Sequence, residues 1–168
     1  MAVFYWSLLM SIKTQGTHIY FVDNITTPTT PKLVKLDCPT GVSGVGSGQK
    51  SQINNTCLDA TESEQYLAGL AAPSALSVPY NFDPSKASHQ VLNKLKDSGE
   101  VIEWMICLSD GTAAPTLASK SMAAPAGRTS VKFSAYVAEN VIEVATNDVV
   151  KGTASLQRSG SEVWTYKG

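Results

Sequence analysis

The stretch Ser130-Val-Lys-Phe-Ser-Ala-Tyr-Val-Ala-Glu-Asn-Val-Ile-Glu-Val-Ala-Thr-Asn-Asp-Val-Val-Lys-Gly-Thr-Ala-Ser-Leu-Gln157 decides the fold class. Val131, Phe133, Ala135 and Val137 alternate with Lys132, Ser134 and Tyr136, the period-2 pattern of a half-buried strand. Glu139-Asn140 supplies turn chemistry, and Val141, Ile142 and Val144 form a second β-branched run. Asn147-Asp148 turns the chain again, because short polar side chains tolerate the dihedrals of a tight connection. From Val149 to Gln157, Ala154 and Leu156 alternate with Thr153, Ser155 and Gln157. The pattern predicts a three-stranded antiparallel meander with no nucleophile–base pair and no ligand cluster.

Working outward, Thr17-His-Ile-Tyr-Phe-Val22 predicts the first strand, and Leu33, Val34 and Leu36 a second, closed by Pro39. Residues 40–72 read as one long loop, glycine-rich over 41–48 and acidic later through Asp59, Glu62 and Glu64. A connection of that length is usually functional or disordered. Residues 74–82 return to period 2 through Leu76, Val78 and Tyr80, with Pro79 pointing to an edge or a bulge. One helix is expected over 84–98, with Asp83 as N-cap, Pro84 in the first turn and Val91, Leu92 and Leu95 as an apolar stripe that Ala87 extends. Lys94 and Lys96 suit its C-terminal end and Gly99 ends it. Residues 101–108 alternate weakly, 113–127 read as a second long loop, and 162–166 as a short last strand or packed tail. About eight strand candidates and one helix predict a mainly β protein, a β-sandwich or partly closed barrel with one flanking α-helix and a long loop.

Composition sets limits on function. At 168 residues the chain suits one domain with a proper core, and only 16% of it is charged, against about 25% in average proteins. A largely neutral polar surface suits a protein covered by copies of itself. Net charge is -1, with no basic block, which argues against gripping nucleic acid through its phosphates. Cys38, Cys57 and Cys107 are widely spaced and contain no CxxC, so neither a disulfide framework nor a zinc site is expected, and a reducing cytoplasm is the simpler setting. The apolar residues 1–9 lack the basic region and cleavage site of a signal peptide, and no segment reaches the roughly 18 apolar residues that span a bilayer. Met10 is a plausible initiator, so residues 1–10 are set apart as an N-terminal extension or arm, and residues 11–168 as the single domain.

Motif chemistry is sparse. Gly44-Val-Gly-Ser-Gly-Gln-Lys-Ser51 approaches the phosphate-loop pattern, but Gln49 replaces the second glycine and no amphipathic helix follows. His18 lies in a strand near Tyr20, and His89 on the helix, where solvent is expected; neither has HxH or HxxxH spacing. Cys57 has no cationic neighbour to activate it and reads as a small apolar residue. Trp104 and Tyr136 read as core aromatics, and the sequons at Asn24 and Asn54 have no secretory context. No catalytic, cofactor-binding or metal-ligating residue is nominated.

Two regions carry a family resemblance. Residues 55–84, from Asn55-Thr-Cys-Leu-Asp59 to Val-Pro-Tyr-Asn-Phe-Asp-Pro84, with the helix and Asp110-Gly-Thr112, closely resemble the tail tube proteins of long, non-contractile-tailed bacteriophages. Phe133-Ser-Ala-Tyr-Val137 with Asp148-Val-Val-Lys-Gly-Thr-Ala-Ser-Leu-Gln157, and the lead-in Ile12-Lys-Thr-Gln-Gly-Thr-His-Ile-Tyr20, are similar to the same family in the same order. The resemblance runs from about Ser11 to Gly160 and departs at residues 1–9 and 113–127. It implies a β-sandwich whose inner sheets join into a barrel within a homohexameric ring. Rings stack into a conduit for the genome in the virion tail, assembled in the host cytoplasm. Implied partners are further copies, the tape measure protein, tail-tip and terminator proteins, and double-stranded DNA that passes without tight binding; no membrane or cofactor is implied. Some relatives add an immunoglobulin-like domain, which is not expected here. A terminator-like tail fitting or an adhesin-type binding module is the alternative, and an esterase on a β scaffold comes third. Ring assembly without ligand, glycan or protein binding, and turnover, respectively, discriminate the three.

Overall fold

A computed structural model describes residues 11–46 and 48–168. The expected N-terminal arm, residues 1–10, lies outside the described residues. In chain order the elements are β1 (His18–Asp23), β2 (Lys32–Lys35), β3 (Lys50–Asn54), β4 (Tyr66–Ala71), β5 (Ala75–Asn81), α1 (Ala87–Ser98), β6 (Ile102–Cys107), β7 (Thr116–Ala118), β8 (Ser121–Ala123), β9 (Ser130–Glu143), β10 (Lys151–Arg158) and β11 (Val163–Thr165). The mainly β class with one helix is as expected, and the main sheet does not close on itself.

That sheet runs β2-β1-β6-β9-β10-β5, with β11 also on β9. Its pivot is β9, a single strand of 14 residues. The three-stranded meander is therefore corrected. Glu139 and Asn140 do not turn the chain but stay paired with Ser155 and Ala154, and a bulge at the Ser155/Leu156 step leaves Ala138 opposite no partner. One extra residue bends a strand and increases its twist, which lets one strand serve two layers. The first half of β9 pairs with β6, from Ile102↔Ala135 to Cys107↔Ser130. Its second half, among the described residues, pairs with β10, through Lys151↔Glu143. The strand β5 lies beyond β10 at the end of the sheet order. Among the described residues its outer side meets the segment 38–43, where Thr40 N–H donates to the Pro79 carbonyl at 2.9 Å and Ser43 and Ser77 exchange bonds. Pro79 thus sits at an edge, where its missing N–H is tolerated.

The two layers share one core. Ile19, Phe21, Trp104, Ile106 and Phe133 face Leu76, Val78, Tyr80, Ala154 and Leu156. Trp104 is a core aromatic, its ring tilted against Phe21 at 4.9 Å, with its indole N–H donating to the Ala135 carbonyl at 3.2 Å. Val91, Leu92 and Leu95 of α1 belong to this same cluster, so the flanking helix turns its apolar stripe into the core that the layers share. The helix starts at Ala87, later than expected, and Ala87 is exposed. Asp83 is not its cap, because its carboxylate is used by Ser85 N–H at 2.9 Å and Ser85 Oγ–H at 2.7 Å in the preceding turn. Gly99 ends the helix in the left-handed region (φ 63), as anticipated, and its N–H closes on the Leu95 carbonyl.

Both long loops need correction too. Residues 113–127 contain the β7–β8 hairpin, which lays Met122 and Leu117 over Tyr20, Val22, Met105 and Cys107 on the outer face of β1 and β6. Covered on both faces, β6 alternates weakly. Residues 40–72 contain the β3–β4 hairpin, described below.

Candidate assembly surfaces

The side chains singled out for chemistry serve the fold. His89 is fully buried, against expectation. Its ring lies between Tyr80 (4.7 Å) and Phe82 (5.8 Å). Nδ1 accepts from Asp83 N–H at 3.0 Å and Nε2 lies 2.9 Å from the Asp37 carbonyl, where it donates. A helical residue three positions before Leu92 shares its face, and that spacing was the available signal. His18 is half-buried, and its Nδ1 accepts from both terminal nitrogens of Arg128 at 3.4 Å. Burial lowers its pKa, and the positive charges of Lys35 and Arg128 lower it further.

Both arginines are internal, although the sequence shows them as isolated charges. Arg128 is 1% exposed and donates to four backbone carbonyls: Leu108 (2.5 Å), Gly16 (2.8 Å), Ala113 (2.9 Å) and Cys107 (3.0 Å). It ties three loops to one end of the sheet. Arg158, also buried, pairs with Glu162 and donates to the Ser74 carbonyl at 3.3 Å, fastening the root of the β3–β4 hairpin to β10. The Cys107 thiol is buried, and burial pushes its pKa up to about 11. Cys57 is exposed on the hairpin tip. The glycine-rich run serves backbone contact: a Cβ at Gly48 would collide with the Ala72 carbonyl, and Lys50 opens a strand rather than a phosphate-binding helix. Tyr136, expected in the core, is instead half-buried, on the face of β9 opposite the buried Ala135 and Val137. Among the described residues no group of three or more His, Cys, Asp or Glu converges as metal ligands.

What the fold leaves open is surface, of three kinds. First, the outer face of the β5–β10–β9 layer is bare. Register aligns Ser77, Ser155 and Glu139, then Pro79, Thr153 and Val141, then Asn81, Lys151 and Glu143 across the three strands. It is a small-residue, hydroxyl-rich wall whose inner side is packed tightly, since a Cβ at Gly152 would collide with the Tyr80 ring. Second, residues 136–143 of β9 have β10 as their only strand partner among the described residues, with Val141 and Ile142 partly exposed there. An unpaired edge of that length invites another strand. Third, every residue of β3 and β4 except Gly69 is exposed, including Ile53, Tyr66, Leu67 and Leu70. A two-stranded hairpin alone in water is marginal, so this arm lacks the cover that would hold it.

A mainly β scaffold with internal polar tethers, a bare wall, an open edge and a projecting arm defines a structural protein built for assembly. The chain belongs to the family described as phage tail tube, TTP, lambda-like, whose model matches residues 10–168. It is a siphophage major tail protein, a structural subunit of the tail tube and thus a component of the virion tail. It is similar to structural protein 3 of Pseudomonas phage PAJU2, with 35% identity over 157 residues covering 90% of this chain and 92% of that protein. Its fold resembles the SPP1 tail tube (TM-score 0.63, 15% identity, 92% of this chain and 78% of that one). It also resembles the tail of the empty GTA particle (TM-score 0.63, 10% identity, 93% and 100%). A third likeness is to the sheath/tube terminator of an extracellular contractile injection system (TM-score 0.66, 12% identity, 95% and 100%).

Proposed function

We propose that six copies close into a ring, that rings stack into a tube, and that the bare β5–β10–β9 face is the wall of the conduit through which double-stranded DNA leaves the virion. The carrying observation is that wall: one layer is covered on its outer face by the β7–β8 hairpin, and the other is left uncovered and polar. Ring closure brings the open edge of β9 against the 38–43 edge of the next copy, which removes both edges from solvent. The GTA tail, whose fold is shared, was solved with C6 symmetry, which supports the six-fold ring. The β3–β4 arm gains its missing cover from a neighbouring ring, so amide protection over 50–71 rises on assembly. The tape measure protein, tail-tip and terminator proteins are the further partners, residues 11–168 act as one tube domain, and assembly takes place in the host cytoplasm. A terminator shares this fold, but the family match along 10–168 favours the tube subunit.

The wall is neutral to acidic. Its charged residues are Glu139, Glu143 and Lys151, two acids against one base, a ratio that six-fold repetition multiplies. Negligible binding of free duplex at physiological salt follows, because affinity for DNA comes chiefly from cations that displace counterions. Negative-stain microscopy of dilute and concentrated protein tests the assembly. A chain that stays monomeric at high concentration, with tail-initiation complexes added, refutes it. Gel shift with purified tubes tests the wall, and salt-sensitive binding at micromolar concentration or tighter refutes that assignment.

A further inference from the structure

The β5–β10–β9 layer ends in two edges of unequal quality. At one end β9 keeps an unbroken register with β10 from Glu139↔Ser155 to Glu143↔Lys151 and contains no proline there. Its other side has no strand partner over these residues among the described residues. At the opposite end residues 38–43 cover β5, and that cover is irregular. Pro39 faces Tyr80 and Ser43 faces Ser77, so four steps along the cover are matched by three along β5. One residue is extra, which makes the cover a bulged strand. Pro79 accounts for the break: its carbonyl accepts from Thr40 N–H at 2.9 Å, but it has no N–H to return to the Thr40 carbonyl.

The bonds to β5 also fix which groups turn away from it. The Cys38 carbonyl accepts from Asn81 N–H at 3.0 Å, Thr40 N–H is used on Pro79, and Ser43 exchanges bonds of 2.9 and 3.1 Å with Ser77. Along an antiparallel strand, residues alternate between bonding one neighbour and facing the other side. The backbone groups of Pro39 and Val42 therefore turn outward, toward any incoming strand, and Pro39 has no N–H to offer. Outside the bulge, Val42 is left as the outward donor. The stretch is closed off by left-handed residues, Cys38 at φ 46 and Gly44 at φ 83. Proline, a bulge and shortness are the devices that blunt a sheet edge. The cover is still firmly seated, because Val42 and Val45 pack against the main core.

We propose that residues 38–43 guard the ring-closing edge, holding free copies apart and admitting β9 of the next copy only within a closing ring or on a template. The inference rests on the ring reading, in which these two edges meet, and adds the regulation of that contact. Strand sense supports the occupant. Residues 38–43 run antiparallel to β5, β5 to β10, and β10 to β9, so the cover and β9 have opposite senses. Rotation about a ring axis preserves both senses, and the two edges meet as an antiparallel pair. The pairing is heterologous, so blunting one edge is enough to restrain it. Two free copies gain a single weakened contact. The copy that closes a ring gains two contacts for one association, and a template holds copies side by side at high effective concentration.

The test uses full-length protein. Pro39→Val returns the outward donor, and Val42→Pro removes the one that remains. Melts of dilute protein report whether each variant folds, and sedimentation velocity resolves monomers, partial rings and rings, with and without tail-initiation complexes. Wild type shows monomers and complete rings without dimers or trimers, and its rings appear at lower concentration when the complexes are added. Pro39→Val lowers the unseeded onset about fivefold and Val42→Pro raises it about fivefold, the effect of one backbone hydrogen bond per contact. A folded variant of either kind whose onset matches wild type overturns the guard. So do wild-type dimers and trimers that accumulate steadily with concentration, a result that stands even if both variants fail to fold. Amide exchange separates the guard from the reading beneath it: Gly41 and Val42 gain protection in wild-type rings. Equal exchange at these amides in monomer and ring, or no rings at all, overturns the ring contact itself.

Discussion

Replacing Arg128 with Met tests whether the tube subunit depends on an internal cation. The change removes every donor to the carbonyls of Leu108, Gly16, Ala113 and Cys107 and to His18 Nδ1, while a side chain of similar length keeps much of the volume. Hydrogen bonds from a charged donor contribute about 1.5–3 kcal/mol each, so a naive sum overshoots. Two effects reduce it: carbonyls near the loop ends regain water, and the desolvation cost of the guanidinium disappears. A buried acceptor left without a donor costs about 1–3 kcal/mol, so a loss of about 3–5 kcal/mol, two such carbonyls, is the better guide. At roughly 2–4 °C per kcal/mol for a protein of this size, the midpoint falls by roughly 6–20 °C. Arg128→Lys keeps the charge but not the planar fork that reaches several acceptors, so about half of that loss is expected. Thermal melts of dilute, unassembled protein give the measurement, since assembly adds concentration-dependent stability. A Met variant melting within about 2 °C of the parent shows that the four contacts contribute nothing net and refutes the tether.

Leu92→Ala empties a fully buried position of the helix's apolar stripe and costs about 2–5 kcal/mol; unchanged melting and tube yield place the stripe elsewhere. Gly152→Val forces a side chain into the Tyr80 ring and displaces the Tyr80–Asn140–Asn93 hydrogen-bond chain, costing about 1–3 kcal/mol or more in denaturant titration, whereas Ser155→Val on the bare face changes stability by less than about 0.5 kcal/mol. His18→Gln tests a pH effect. The folded-state pKa of His18 lies below 6.5, so as pH falls through 6.5 the unfolded chain takes up the proton first and the folded state loses stability. Denaturant midpoints at pH 7.5 and 5.5 should diverge less in the Gln variant, and an identical slope in both proteins refutes the role of His18.

The strands readable in the sequence were those whose period-2 pattern records a packed face, such as β1, β5 and β10. The two missed hairpins fail that test for different reasons. Lys50-Ser-Gln-Ile-Asn54 has no apolar alternation because neither of its faces packs against its own chain. In β7–β8 only Met122 is buried, with Leu117 half-buried beside it, too few apolar positions for a period. The Glu139-Asn140 pair resembles a turn because a bulge also favours residues that leave the regular pleat, and only the partner strand reveals which of the two occurs. The buried His89 and Arg128 answer to backbone carbonyls that the fold alone brings together, which composition cannot show. The assembly surfaces were legible only through the family, since an exposed leucine or a bare edge has no sequence signature until its partner is in place.

The internal use of both arginines also bears on the passage of DNA. Arginine is the side chain best matched to phosphate, through its planar bidentate fork. Here one guanidinium is spent on backbone carbonyls and the other on Glu162 and Ser74, so neither reaches a solvent-facing wall. The cation left on the β5–β10–β9 face is Lys151, and its ammonium is 2.5 Å from the Asp148 carboxylate, which that contact keeps ionised below the usual carboxylate range. Ser77, Thr153 and Ser155 offer hydroxyls, which exchange with water at little cost and bind a passing phosphate weakly. Counterion release needs unpaired cations facing the duplex, and on this face the one cation is already paired. If the β5–β10–β9 face is the conduit wall as proposed, holding both arginines inside the fold leaves that wall only a paired lysine to meet a passing duplex.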